Sequence, residues 1–196
     1  MSVMSSEISQ TILFVALETA TGNQLVKKFD IGTGAVSDAY TPGAGTSCNV
    51  LQHPTNEDVV YFYGQFGGNV NIIKHTISTV NNADISVNIS NTINGVTVNP
   101  SNDLEMYCYS DGNTTIYFTD DGGATWTVLN ASGSLTTVAG LVTLWSAAGL
   151  ANRLFASGDD TANAIINYSP NGGLSGVKVR DGALASLISK MVYTDG

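Results

Sequence analysis

Two stretches decide the fold of this chain: VLQHPTNEDVVYFY at residues 50–63 and VTVNPSNDLEMYCY at residues 96–109. Both contain a proline turn, an asparagine, an acidic residue and a strand with two tyrosines. The turn residues Pro54 and Asn56 recur as Pro100 and Asn102 in an unbroken register of 14 residues. Such a register indicates an internal repeat, the sequence signature of propellers and other arrays.

The same register predicts four hairpins along the chain. Their first strands are predicted at Ile12–Leu17, Val59–Gly64, Glu105–Ser110 and Arg153–Ser157, and their second strands at Gln24–Asp30, Val70–Thr76, Thr114–Thr119 and Ala164–Tyr168. Each intervening turn ends in an asparagine, a residue that tolerates the left-handed backbone of tight turns: Asn23, Asn69, Asn113 and Asn163. Further strands are predicted at Val36–Ala39, Ile85–Ile89, Thr125–Leu129 and Ser175–Val179.

About four strands in roughly 47 residues match one blade of a β-propeller. The sequence therefore predicts an all-β fold, a small β-propeller of about four four-stranded antiparallel blades in one domain, 1–196. The repeats are expected near 11–47, 48–93, 94–139 and 140–182, with 183–196 closing the ring or starting a fifth repeat of a larger array. A short helix near 184–191 is an alternative for that segment, because its apolar residues have helical spacing. The alternative architecture is a two-sheet jelly-roll sandwich.

One segment has a family resemblance. Thr119-Asp-Asp121-Gly-Gly123-Ala-Thr125-Trp126 fits the pattern Ser/Thr-x-Asp-x-Gly-x-Thr-Trp. It resembles the Asp-box, the bacterial neuraminidase repeat of many β-propellers, most clearly over residues 95–129. The resemblance implies a structural motif: the carboxylate of Asp121 accepts backbone N–H bonds, Gly123 supplies backbone freedom and Trp126 is buried. A second turn at 169–175 keeps part of the pattern but lacks the tryptophan.

The amino-acid composition restricts the partners and the location that we expect for this chain. Charged residues are 12% of the chain, and 16 acidic against 7 basic residues give a formal charge of −9. This balance argues against nucleic acid as a partner, since phosphate binding needs a positive field. We expect neither a membrane span nor a secretory signal peptide, and predict a virion or cytoplasmic location. The two cysteines, Cys48 and Cys108, are interpreted as buried thiols rather than a disulfide.

No catalytic, cofactor-binding or metal-ligating set is predicted. His53 occupies the turn position that Asn99 fills in the next repeat, and His75 has no nucleophile motif beside it. The acidic pairs at 57/58, 103/105 and 159/160 are interpreted as turn and rim residues. Sialidases with this box resemble one another in using three arginines, whereas this chain has two, Arg153 and Arg180.

The favoured hypothesis is a non-enzymatic structural protein that acts through protein–protein packing. Its composition, poor in lysine and rich in Gly, Asn, Thr and Ala, resembles that of phage virion proteins, such as capsid decoration, fibre or tail components. The expected partners are copies of itself or other structural subunits in a homo-oligomer or lattice. A carbohydrate-binding adhesion propeller is the alternative, and a glycoside hydrolase-like propeller is the second alternative.

Overall fold

A computed structural model describes residues 2–5, 12–19, 22–45, 47–66, 71–89, 92–110, 115–129, 143–146, 154–159, 164–169 and 177–182. These residues form four antiparallel sheets of four strands each, and neighbours in sequence are neighbours in each sheet. The first sheet comprises β1 (Ser2–Ser5), β2 (Ile12–Glu18), β3 (Asn23–Asp30) and β4 (Val36–Ala44), and the second comprises β5 (Ser47–Gln52), β6 (Val59–Gln65), β7 (Ile72–Thr76) and β8 (Asn81–Asp84). The third comprises β9 (Ile93–Asn99), β10 (Asn102–Ser110), β11 (Ile116–Thr119) and β12 (Thr127–Leu129), and the fourth comprises β13 (Thr143–Ser146), β14 (Leu154–Asp159), β15 (Ala164–Ser169) and β16 (Val177–Gly182).

The chain divides into two compact units, Met1–Ile93 and Asn94–Gly196. The first unit contains the first and second sheets, which share one apolar core. Phe14 and Val26 of the first sheet pack with Phe62 and Ile73 of the second. The rings of Phe14 and Phe62 lie 5.9 Å apart in a tilted arrangement, and both side chains are fully buried. Full burial of such side chains contributes about 1.5–3 kcal/mol each, so these residues explain why the two sheets stay together.

The second unit has an apolar cluster of its own. Tyr107 and Tyr109 of β10 pack with Ile116 of β11 and with Leu154 of β14, so the cluster joins the third and fourth sheets. Phe118 lies against Tyr107 with ring centroids 5.0 Å apart. Residues 105–110 of β10 are all buried, so this part of the strand is covered on both of its faces.

The coarse prediction is confirmed: the described fold is all-β and is built from antiparallel four-stranded sheets. The predicted strand Val59–Gly64 is observed as β6, which begins at Val59 and ends one residue later than predicted, at Gln65. A two-sheet jelly roll would combine its strands into two sheets, whereas the described strands form four.

Several local predictions were wrong. The expected strand Ile85–Ile89 is a turn, with Asn88 at φ 69°, and the strand lies just before it as β8. The isoleucines are buried anchors, while β8 itself is polar and pairs with β7 through its backbone. The first hairpin has its left-handed residue at Gly22, with φ 78°, rather than at Asn23.

The strand that begins each sheet, before the predicted hairpin, was not predicted from the sequence. β1 precedes the expected start of the first repeat at residue 11 and pairs with β2 in register Ser2↔Ala16. The predicted turn residues Asn69, Asn113 and Asn163 and the segment 183–196 lie outside the described residues. Within the described residues, no helix is long and apolar enough to cross a membrane.

Candidate functional site

The Asp121 turn between β11 and β12 is a closed hydrogen-bond system. Asp121 Oδ1 accepts bonds from the Thr125 backbone N–H at 2.9 Å and from Thr119 Oγ1 at 2.7 Å, and Oδ2 accepts from Thr125 Oγ1 at 2.6 Å. The Thr119 hydroxyl in turn accepts from the N–H of Gly123 at 3.1 Å. Gly122 and Gly123 both have positive φ, 74° and 93°, which explains why glycine occupies these positions.

These bonds act on the charge of Asp121. The hydrogen bonds from Thr125 and Thr119 lower its pKa to about 2. Trp126, the next residue of the motif, is 8% exposed and therefore buried. Both oxygens of the Asp121 carboxylate thus accept hydrogen bonds from within the turn.

Other carboxylates of the described chain have the same role. Asp58 accepts bonds from the backbone N–H of Ser78 at 2.7 Å and from its hydroxyl at 2.6 Å, which ties the turn after β5 to the turn after β7. Asp84 accepts the corresponding pair from Ser86 at 2.8 and 2.6 Å. Asp30 accepts from the Thr33 N–H at 2.9 Å, and this bond is the main cause of its lowered pKa.

Glu57 and Asp58, interpreted from the sequence as turn or rim residues, lie in the turn between β5 and β6, whereas Asp103 and Glu105 lie in β10. Asp58 is tied to Ser78, and Glu57 is exposed. Glu105 is 4% exposed and accepts a 2.8 Å bond from the Tyr107 hydroxyl, whereas Asp103 is exposed. Burial and the bond to Glu105 raise the pKa of Tyr107. The side chains of the third pair, 159/160, lie outside the described residues.

The two repeat turns are built alike. His53 Nδ1 accepts the backbone N–H of Thr55 at 3.2 Å and of Asn56 at 3.0 Å, and Asn99 Oδ1 accepts the N–H of Ser101 at 2.9 Å. Three residues after His53 and Asn99, the side chains of Asn56 and Asn102 each accept a bond from the backbone N–H two positions on. These bonds are 3.0 and 3.3 Å long. His53 is thus an acceptor that replaces an asparagine side chain.

His75 lies in the core of the first unit. It is 1% exposed and packs between Phe62, at a centroid distance of 5.2 Å, and Phe14, at 5.8 Å. Its Nδ1 lies 2.8 Å from Asn82 Oδ1, and the Asn82 amide donates to the Ala39 carbonyl of the first sheet at 3.2 Å. That second bond orients Oδ1 towards the ring, so Nδ1 carries the proton. His75 thus links the two sheets of the first unit.

Both cysteines are free, buried thiols. Burial raises the pKa of Cys48 to about 12, and raises that of Cys108 well above its ordinary value. A thiol of this kind is protonated and unreactive at neutral pH. Among the described residues there is no group of three or more His, Cys, Asp or Glu that could hold a metal ion.

A polar cavity of about 200 Å³ lies between the first and second sheets. Ala16, Leu17 and Glu18 of β2, Gln24 of β3, and Ser47, Cys48 and Asn49 of β5 line it. The pairing Glu18↔Gln24 places both side chains beside the hairpin between β2 and β3. No motif marked these residues in the sequence, since they meet only through the packing of one sheet on the next.

No family model and no curated protein matches this chain. Among solved structures, the chain is similar to an auxiliary nutrient binding protein from Bacteroides thetaiotaomicron, with 12% identity and a TM-score of 0.61 over 99% of this chain and 43% of that one. It is also similar to TolB from Acinetobacter baumannii, with 10% identity and a TM-score of 0.62 over 89% of this chain and 42% of that one. A GH74 enzyme from Niastella koreensis has 17% identity and a TM-score of 0.59 over 90% of this chain and 28% of its own.

This chain spans less than half the length of each of these structures. Identity at this level is informative about the fold alone. These neighbours are β-propeller-like proteins, and the chain accordingly has a β-propeller-like fold of four-stranded antiparallel sheets.

Proposed function

We propose that this chain is a small propeller of about four blades and acts without catalysis, as a subunit that packs against copies of itself or other structural proteins. The observation that carries the proposal is that three successive sheets each expose an aliphatic side chain at the corresponding end. Ile31, Val80 and Leu104 are 60%, 66% and 51% exposed.

These three side chains occupy equivalent ends of their sheets. In an antiparallel four-stranded sheet, the turns after the first and third strands lie at the same end. Ile31 is in the turn after β3 and Val80 is in the turn after β7. Leu104 follows the turn after β9, and its carbonyl accepts the Gly122 N–H of the turn after β11 at 2.9 Å.

The carboxylates at these ends of the sheets are held by hydrogen bonds within the chain, which favours packing against another subunit over binding a ligand. Asp30 and Asp121 each accept bonds from a threonine in their own turn, and Asp58 accepts from Ser78 in the next turn at the same end of its sheet. Covering exposed aliphatic surface releases about 25 cal/mol per Å², and a chain with only 12% charged residues has few ions to desolvate in doing so. Large permanent interfaces have this character.

Sedimentation velocity tests the proposal. The chain is expected to form a homo-oligomer at micromolar concentration, and Ile31→Lys and Val80→Lys are expected to shift it towards monomer. Val87→Lys is the matched control, since Val87 is 51% exposed but follows β8 at the opposite end. A wild-type chain that sediments strictly as a monomer, or a loss of assembly caused equally by Val87→Lys, contradicts the proposal.

The finer assignment is a virion component, such as a capsid decoration, fibre or tail protein. Its support is compositional, and flanking capsid, portal or tail genes are the expected genomic context. Carbohydrate binding and glycoside hydrolysis are the two alternative functions, and structures of similar fold include a nutrient binding protein and a GH74 enzyme. A hydrolase would need two cleft carboxylates about 5–9.5 Å apart.

A further inference from the structure

We propose that the cavity between β2, β3 and β5 binds one neutral sugar ring through Glu18, Gln24, Ser47 and Asn49. This site goes beyond the proposed function, because it lies at the end of the first two sheets opposite to Ile31 and Val80. Subunit packing at the end that carries Ile31 and Val80 neither needs the cavity nor covers it.

The position of the cavity follows from the strand order. β2 ends at Glu18, β3 starts at Asn23 and β5 starts at Ser47, so three strand ends meet at one edge of the packed sheets. Its volume of about 200 Å³ is below the roughly 300–1,000 Å³ of sites for drug-sized ligands. It corresponds to on the order of six water molecules at about 30 Å³ each, which suits one ring rather than an oligosaccharide.

The polar groups of the cavity are available for a ligand. Within the described residues, the side chains of Glu18 and Asn49 have no hydrogen-bond or ion-pair partner. Gln24 Nε2 makes only a long 3.4 Å bond to the Gly45 carbonyl. Ser47 Oγ accepts the Gln65 N–H at 3.2 Å, which leaves its own proton free to be donated.

This mixture of donors and acceptors matches vicinal hydroxyl groups. Each sugar hydroxyl donates one hydrogen bond and accepts up to two, a carboxylate accepts, and an amide does both. The Glu18 carboxylate and the net charge of −9 disfavour an anionic ligand. An apolar ligand would leave the carboxylate and the amides without partners, which costs about 1–3 kcal/mol per buried group.

Two glycines lie against residues that line the cavity. A Cβ on Gly45 would lie 2.3 Å from the Gln65 carbonyl oxygen and 3.2 Å from Gln24 Cγ. A Cβ on Gly64 would lie 2.3 Å from the Ser47 carbonyl oxygen, and Gly64 has φ 152°. The close backbone approach at these two positions holds Gln24 and Ser47 in place before any ligand binds, which lowers the entropic cost of binding.

Titration by ¹⁵N-HSQC NMR of the full chain tests the site, with the methyl glycosides of glucose, galactose and mannose as probes at millimolar concentration. Saturable shifts are expected for the amides of residues 16–18 and 47–49 with at least one probe. Glu18→Gln and Asn49→Ala should each weaken binding by about tenfold, the effect of losing one ligand hydrogen bond. Asn81→Ala is the matched control, as it removes an exposed asparagine of β8 and should change nothing.

Unfolding temperatures of the variants must match that of the wild type, so that the loss reports the site rather than the fold. Absence of saturable shifts with all three probes overturns the proposal. Equal weakening by Asn81→Ala, or tighter binding of glucuronate or glucosamine than of every neutral probe, also overturns it. An oligomer in the sedimentation experiment with no sugar binding would reject this site and leave the proposed function standing.

Discussion

At the scale of single residues, carboxylates of this chain serve as acceptors that hold turns. Asp121 receives three hydrogen bonds from two threonines, and Asp58 receives two from Ser78. The bonds to Asp121 favour its charged form, so the fold is coupled to the ionisation of this acid. The stability of the Asp121 turn should therefore depend on pH in a window set by this one acid.

Replacing Asp121 by asparagine should remove an acid-sensitive part of the stability. The pKa of this group is about 2 in the folded chain and 3.8 otherwise, so its contribution is full above pH 3.8 and is lost as the pH falls towards 2. Asp121→Asn should lower the melting temperature near neutral pH and approach the wild type at the acidic end. Thermal unfolding across this range checks the prediction, with the neighbouring Asp120→Asn as control; equal curves for both variants would contradict it.

His75 should give a second pH dependence in a higher window. Burial, the largest effect, and the nearby Lys28 lower its pKa, whereas the bond to Asn82 and the Asp58 carboxylate raise it, and the net shift is downward from 6.5. The unfolded chain then binds the proton more tightly, so the contribution is full above pH 6.5 and declines as the pH falls below it.

His75→Phe should weaken this pH dependence, because phenylalanine fills the space between Phe14 and Phe62 without a titrating group. Urea unfolding from neutral pH down to about pH 5 measures the effect. His53→Asn removes the other histidine and serves as the control. If the pH dependence of stability persisted in His75→Phe but vanished in His53→Asn, the effect would belong to His53 and the prediction would be wrong.

At the scale of elements, the repeat turns carry the strongest evidence that the sequence register is structural. His53 and Asn99 hold equivalent turns by the same kind of acceptor bond, and Asn56 and Asn102 repeat the next bond. The two residue types are interchangeable here because the turn needs only an acceptor at that position.

His53→Asn should therefore be tolerated, with a change in unfolding free energy below about 0.5 kcal/mol. His53→Ala removes the acceptor of two backbone N–H groups and should cost about 1–3 kcal/mol. Chemical denaturation of both variants checks the prediction. If asparagine proved as damaging as alanine, the contact of His53 with Tyr61, at a centroid distance of 6.1 Å, would be its main role instead.

The sequence predicted those strands that contain a run of apolar and aromatic residues. β6 is largely an apolar and aromatic run and begins at Val59 as predicted, whereas β10 ends at Ser110 as predicted but begins at Asn102, three residues before the predicted start at Glu105. The strand β8 was misplaced because Asn81–Asp84 has low β-propensity, and pairing with β7 outweighs that propensity. β1 and β5 were missed because they are short, at 4 and 6 residues, and a short run gives little periodicity to recognise.

The candidate cavity could not be predicted in this way. Its lining residues come from three strands of two sheets, and no two of those strands share a sequence motif. Position in a packed fold, rather than spacing along the chain, brings Glu18, Gln24 and Asn49 together. The turn residues of the Asp121 motif were predictable because their hydrogen bonds stay within seven residues of sequence, from Thr119 to Thr125.

At the scale of the whole molecule, a propeller requires the four sheets to be near-copies of one unit. Each has the same strand order, and the first two share a core around Phe62. The likeness to propeller structures covers 89–99% of the chain in the three comparisons above. Their low identity means that this likeness supports the fold and leaves the function to experiment.

An experimentally determined structure of the full chain, by crystallography or electron microscopy, tests this claim most directly. Residues 50–63 should superpose on residues 96–109 with His53 over Asn99, and successive sheets should be related by similar rotations about one axis. Different local geometries in the two stretches, or sheets stacked face to face as a sandwich, would contradict the account.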